Sequence, residues 1–162
     1  MRIGPKCDAV CENIVTTNGH SLPWAKEIRY LGIFFIKSRN FKCSFDYAKR
    51  SFYRALNAIF GKIGRVASEQ VVLELVSKKC IPILMYGLEA CPLNKSDKNS
   101  IDFALNRFLM KLFNTADMNI INDCKVFFNF KSISERIDSR TVNFLKRFTL
   151  SDNALCQFSV NL

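Results

Sequence analysis

The stretch Ser44-Phe-Asp-Tyr-Ala-Lys-Arg-Ser-Phe-Tyr-Arg-Ala-Leu-Asn-Ala-Ile-Phe-Gly-Lys-Ile63 decides how the chain is built. Phe45, Ala48, Phe52, Ala55, Leu56, Ile59 and Ile63 recur at three- and four-residue steps, so they share one stripe of an amphipathic helix. At about 100° per residue the centre of the opposite face holds Arg50, Arg54 and Arg65, with Tyr47 beside them. Ser44 is the expected N-cap. Gly61 and Gly64 weaken the last turn, which places the end of the helix between them and Ser68, the expected cap of the next helix.

Towards the N-terminus the period changes. Cys11 to Thr17 is short and β-branched, and Asn18-Gly19 after it tolerates positive φ, so a hairpin turn is expected there. Ile28-Arg29-Tyr30-Leu31-Gly32-Ile33-Phe34-Phe35-Ile36 is an apolar, aromatic run bounded by charges and reads as a strand. The expected fold is therefore mainly α with a small N-terminal β meander, an α+β chain.

Towards the C-terminus, Glu69 to Cys80 reads as a second helix with Val71, Val72, Leu75 and Val76 inward. Ile81-Pro82 marks a kink or a restart, because proline cannot continue an undisturbed helix. Ile83 to Ala90 is apolar enough to be buried on several sides. Ser96 starts a third helix, in which Ile101, Ala104, Leu105, Phe108 and Leu112 form a stripe. Phe103, Met110 and Phe113 lie on its other side, either against the C-terminal tail or as a surface that once met another domain. Ile120 to Phe130 is a short helix. Ser132-Ile-Ser-Glu135 has the capping-box form that opens another, running to about Phe148, and Ser151 to Leu162 is a frayed end.

The charge is local. Of a net +10, most falls between Arg29 and Arg65, where nine basic residues face the single acid Asp46 and alternate with aromatic rings. Such a surface suits a polyanion, since released counterions drive phosphate binding and rings pack or stack. A solvated helix face has the same pattern. With 49% hydrophobic residues in 162, the chain has enough apolar material for a core. No apolar run approaches the roughly 20 residues of a membrane span, and Met1 is followed by no secretion-signal core, so cytoplasm or nucleus is the expected setting. Seven cysteines form no CxxC pair, and His20 is the single histidine, which supports neither a zinc site nor a disulfide framework. They read as reduced thiols, mostly in the core. The acids include no Asp-Asp pair for two-metal chemistry, and Gly61-Lys62-Ile63-Gly64-Arg65 lacks the hydroxyl partner of a phosphate loop. His20 has no triad partners and reads as a turn or surface residue.

Several segments stand in a telling succession: Met1-Arg2-Ile3-Gly4, Leu22-Pro23-Trp24, Ile28-Arg29-Tyr30-Leu31-Gly32-Ile33, Ala48-Lys49-Arg50-Ser51-Phe52-Tyr53-Arg54-Ala55, Asn57-Ala58-Ile59-Phe60-Gly61-Lys62, Pro82-Ile83-Leu84-Met85-Tyr86-Gly87-Leu88-Glu89-Ala90, and Phe103 through Phe113. Their order and spacing resemble the C-terminal part of reverse transcriptases from LINE-type (non-long-terminal-repeat) retrotransposons, over residues 1–116. The resemblance implies residual palm strands with a primer-grip-like hairpin in residues 1–40, a thumb-like helical bundle in 41–116 and a post-thumb helical tail in 117–162. Tyr30, Leu31 and Gly32 would match the hairpin that helps hold the primer end. Lys49, Arg50, Arg54, Lys62 and Arg65 would contact backbone phosphates of an RNA–DNA or DNA duplex, with Lys49 nearer the apolar edge of its helix.

The family's catalytic aspartates, including those of its Tyr-x-Asp-Asp motif, would lie before Met1. The expectation is a non-catalytic part of an RNA-directed DNA polymerase, with no catalytic residue, no metal site and no cofactor of its own. The parent's two divalent cations would find no ligands here, and no small-molecule substrate is implied. The alternatives are a helical protein-interaction module using Phe103, Met110 and Phe113, or an expressed remnant without function.

Overall fold

The computed structural model describes residues 1–63, 66–154 and 156–157. Its backbone is mainly helical after a small antiparallel β region, as the periodicities require. The chain divides into two compact units, Met1–Tyr47 and Ala48–Leu162.

The first unit is built on two sheets. Strand β1 (Ile14–Val15) pairs with β2 (Ser21–Leu22) across the Asn18-Gly19 turn, where Gly19 has φ 78°. The Thr16 N–H donates to the His20 carbonyl at 2.9 Å, so His20 serves as a turn residue. The run from Ile28 to Ile36 is not one strand. It folds back on itself as β3 (Glu27–Tyr30) and β4 (Ile33–Ile36), with Tyr30 opposite Ile33. Continuous hydrophobicity hid the break, because a two-residue loop leaves no polar gap in the sequence. β5 (Cys43–Ser44) adds an edge to β4 and was not foreseen. Ser44 thus ends a strand instead of standing directly before the helix, although its Oγ still accepts the Asp46 N–H at 3.5 Å. Only Cys7 and Cys43 are fully buried among the residues of this unit.

Helix α1 (Asp46–Ile63) has the expected stripe, with Phe52 and Leu56 buried and Ala48, Ala55, Ile59 and Ile63 half-buried. α2 (Glu69–Leu75) follows Ser68, whose backbone takes the cap conformation without a side-chain cap bond. Val71 lies outward, 46% exposed, and Leu73 takes the buried place instead. The stripe of so short a helix was misphased by one position. Val76–Cys80 then widens into a π-helical turn, in which the Ile81 N–H donates to the Val76 carbonyl, and α3 (Ile81–Leu84) follows with Pro82 in its first turn. Proline's missing N–H and its clash with the carbonyl four residues back are absorbed by that wider turn. Of Ile83 to Ala90, Leu84, Met85 and Leu88 are buried, whereas Ile83 and Tyr86 face outward.

α4 (Lys95–Leu112) opens on a complete capping box, Asn94 accepting from the Asp97 N–H and Asp97 from the Asn94 N–H. The cap is Asn94, not Ser96, because Asp97 three residues on completes an Asn-x-x-Asp box. α5 (Met118–Phe127) starts two residues earlier than expected because Asp117 caps it, accepting from the Asn119 N–H at 2.8 Å. α6 (Ile133–Thr149) opens at Ser132 as its capping-box sequence required, the hydroxyl accepting from the Glu135 N–H at 3.2 Å. Of the segment expected to fray, Gln157 N–H donates to the Asn153 carbonyl at 3.0 Å, while Leu155 and residues 158–162 lie outside the described residues.

A second cap on α6 comes from another helix. The Asp102 carboxylate of α4 accepts from the Ile133 N–H at 2.8 Å, the Ser134 N–H at 3.3 Å and the Ser134 hydroxyl. Ion pairs Lys98–Asp138 (2.7 Å) and Arg140–Glu89 (2.6 Å) run further along the same helix. Ile133 and Ile137 are buried beneath it. Among the described residues, no helix is long and apolar enough to cross a membrane.

Two outcomes follow from this packing. Asp102→Ala lowers the unfolding free energy by about 2 kcal/mol, the scale of a lost cap plus a charged hydrogen bond, and Asp102→Asn by less, read from urea denaturation. All seven cysteines are free thiols, and Cys80 is fully buried, which pushes its thiol above the usual range. Its folded pKa is raised, so its stabilising contribution is full below the ordinary thiol value of about 9 and is lost as pH rises through the folded one. Iodoacetamide mass mapping at pH 8 is expected to label half-buried Cys11 and Cys91 in the native protein and Cys80 only after denaturation.

Candidate nucleic-acid interface

In the first unit the tip of the β3–β4 hairpin carries Tyr30, Leu31 and Gly32 outward. Leu31 and Gly32 both have positive φ, 47° and 84°, the pattern of a type I′ turn. That turn favours Asn-Gly or Asp-Gly. Leucine there costs roughly 1 kcal/mol of backbone strain, and the side chain is 71% exposed, so no burial offsets it. Tyr30 beside it is 63% exposed. A bulky apolar residue held in a strained conformation and displayed to solvent is a feature that packing alone does not explain.

The cations of this unit are partly engaged. The Arg29 guanidinium lies over Phe34 (5.7 Å) and Tyr47 (5.3 Å), whose rings are themselves 5.3 Å apart. Lys37 pairs with Asp8 at 3.2 Å and holds its carboxyl below the usual carboxylate range. The basic run is thus less bare than its sequence count.

In the second unit the helical set separates into faces. Arg50 and Arg54 are exposed, one turn apart and about 40° apart around α1. Lys62 is exposed on a flank about 80° beyond Arg54. Lys49 turns the other way: it is half-buried, and its ammonium donates to Ser100 Oγ on α4 at 3.1 Å. Arg65 lies outside the described residues.

Two cations that sequence reasoning missed, Arg107 and Lys111 of α4, line a groove on the neighbouring flank of α1. Lys49 meets Ser100, and Phe60 meets Lys111, each pair 51 residues apart, so α1 and α4 run side by side in the same direction. Between them lies a groove of about 330 Å³ lined by Tyr53, Leu56, Asn57, Phe60, Arg107, Phe108 and Lys111. Phe60 meets Phe108 edge-on at 6.5 Å, and the Lys111 ammonium sits 4.9 Å from the Phe60 centroid. Among the described residues, no carboxylate lines the groove. The available signal was the i, i+4 spacing of Arg107 and Lys111 on the flank shared with Ser100.

Other cations are structural. Burial lowers the pKa of Lys125 and of Arg136, and Arg136 lies over Phe130 at 5.2 Å while donating to the Lys131 carbonyl. The second apolar set of α4 is also divided: Phe113 stacks on Phe128 of the tail at 5.6 Å, and Phe103 remains 57% exposed. Among the described residues, no three His, Cys, Asp or Glu side chains gather as a metal-ligand group. Comparison with protein families, with curated proteins and with solved structures returns no match to this chain.

The strain at the hairpin tip is open to direct measurement. Leu31→Asn is expected to stabilise the first unit by about 1 kcal/mol. Urea unfolding followed by fluorescence of Trp24, whose indole N–H donates to the Glu12 carbonyl at 3.2 Å in that unit, reads the change.

Proposed function

We propose that this chain is the end-of-palm and thumb part of a LINE-type reverse transcriptase and that its own role is to hold nucleic-acid backbone, in the cytoplasm or nucleus. The observation that carries the reading is the exposed Arg50–Arg54 face of α1, which borders an aromatic groove whose described lining adds Arg107 and Lys111 and no acid. Charge of one sign over rings is the arrangement that sequence-indifferent binding uses. The exposed, strained Tyr30-Leu31-Gly32 tip supports the same ancestry, since a primer-holding hairpin needs a displayed turn.

No step of chemistry is assigned to this chain. In the family the reaction belongs to aspartates that bind two divalent cations, and no Asp-Asp pair stands in this sequence. A protein-contact module resting on Phe103, Met110 and Phe113 has less to work with, because Phe113 already stacks on the tail.

Fluorescence anisotropy with a labelled RNA–DNA duplex tests the proposal. Binding is expected to weaken at least tenfold between 50 and 200 mM salt, the loss that several phosphate contacts produce. Arg50→Ala with Arg54→Ala should weaken it further and flatten the salt slope by about two phosphate contacts. A folded chain that binds no nucleic acid at low salt overturns the reading.

A further inference from the structure

We infer that the groove between α1 and α4 seats one unstacked base of a single strand, with the flanking phosphates on Arg107 and Lys111. This rests on the nucleic-acid reading above and deepens it. The groove's about 330 Å³ lies at the lower end of small-ligand sites, enough for one nucleotide unit and far too little for a duplex. Its walls are rings (Tyr53, Phe60 and Phe108), and Asn57 offers both a donor and an acceptor to a base edge. Its charged groups are both cationic, so the complementary ligand joins a flat aromatic part to an anionic one. A duplex keeps its base faces stacked inside and presents phosphates and the base edges of its grooves, neither of which can stack on a ring. A single strand can turn a base outward and stack it on a side chain.

Lys111 explains how the site opens. Its ammonium occupies the face of Phe60 at 4.9 Å. An incoming base takes that ring face, and the flexible lysine swings to the phosphate beside Arg107. The ring exchanges one π partner for another, and the displaced cation gains a stronger one. Asn57 lies about 20° from Arg50 around α1, so the strand continues from the groove onto the arginine face.

The test uses the full chain and three labelled probes: a single strand of about 15 nucleotides, an abasic strand of the same length and charge, and a duplex. The base-bearing strand is expected to bind about tenfold tighter than the abasic one at equal salt, the fold-change of one stacked base. Phe60→Leu, which keeps an apolar side chain in place, should erase that difference. Lys111→Gln should weaken both strands. Circular dichroism and urea midpoints confirm that each variant is folded.

Equal affinity for base-bearing and abasic strands overturns the base pocket and leaves the backbone-binding reading standing. Failure of every probe to bind the folded protein overturns both. A free mononucleotide that competes as well as the strand reassigns the groove to a soluble nucleotide. Binding to phosphatidylserine vesicles without binding to oligonucleotides reassigns it to a lipid surface.

Discussion

The second unit depends on the Asp102 carboxylate. An α-helix leaves its first N–H groups without partners, and a short connection after α5 delivers the start of α6 beside α4, where the Ile133 and Ser134 N–H groups are part-buried. Asp102 supplies acceptors from the side of α4, two N–H groups and a hydroxyl converging on one carboxylate. Negative charge at a helix N-terminus is favourable in itself. This is a long-range constraint in chemical form: α6 has to begin where α4 passes, and Ile133 and Ile137 are then pressed into the core.

The constraint gives α4 two working flanks. Lys98, Asp102 and Phe113 lie within about 60° of one another and meet α6 or the tail. Ser100, Arg107 and Lys111 lie within about 40° on the far flank and meet α1 or the groove. Between them run Ile101, Ala104, Leu105 and Phe108, all buried. Rotation of α4 that spoiled the Asp102 contacts would also turn Arg107 and Lys111 away from Phe60. The groove is held open by a cap on the other side of the helix.

Much of this was legible in the chain. The stripe of α1, the Ser132 start of α6 and the Asn18-Gly19 turn are local patterns, in which period and cap chemistry suffice. Local pattern failed where another signal covered it. Leu31-Gly32 sits inside an unbroken apolar run and does not look like a turn, although the family resemblance did place a hairpin there. The groove was illegible for a different reason. Arg107 and Lys111 belong to it only because α4 runs parallel to α1 at a fixed offset, and no single-helix wheel contains that fact. The same offset removes Lys49 from the exposed set and ties it to Ser100.

The π-helical turn at Val76–Cys80 bears on how this chain tolerates changes of length. One extra residue in that turn is what separates Pro82 from a regular helix interior. Removing a single codon there would tighten the turn and confront the proline ring with the carbonyl four residues before it, a cost of about 3 kcal/mol or more. Cys80 and Ile81, adjacent and both buried, would no longer share the core side. The connection at residues 114–116, ahead of the Asp117 cap and with Asn114 at φ 50°, holds no proline to be driven against a carbonyl. Insertions and deletions among related sequences would therefore collect in the connections and spare these five residues.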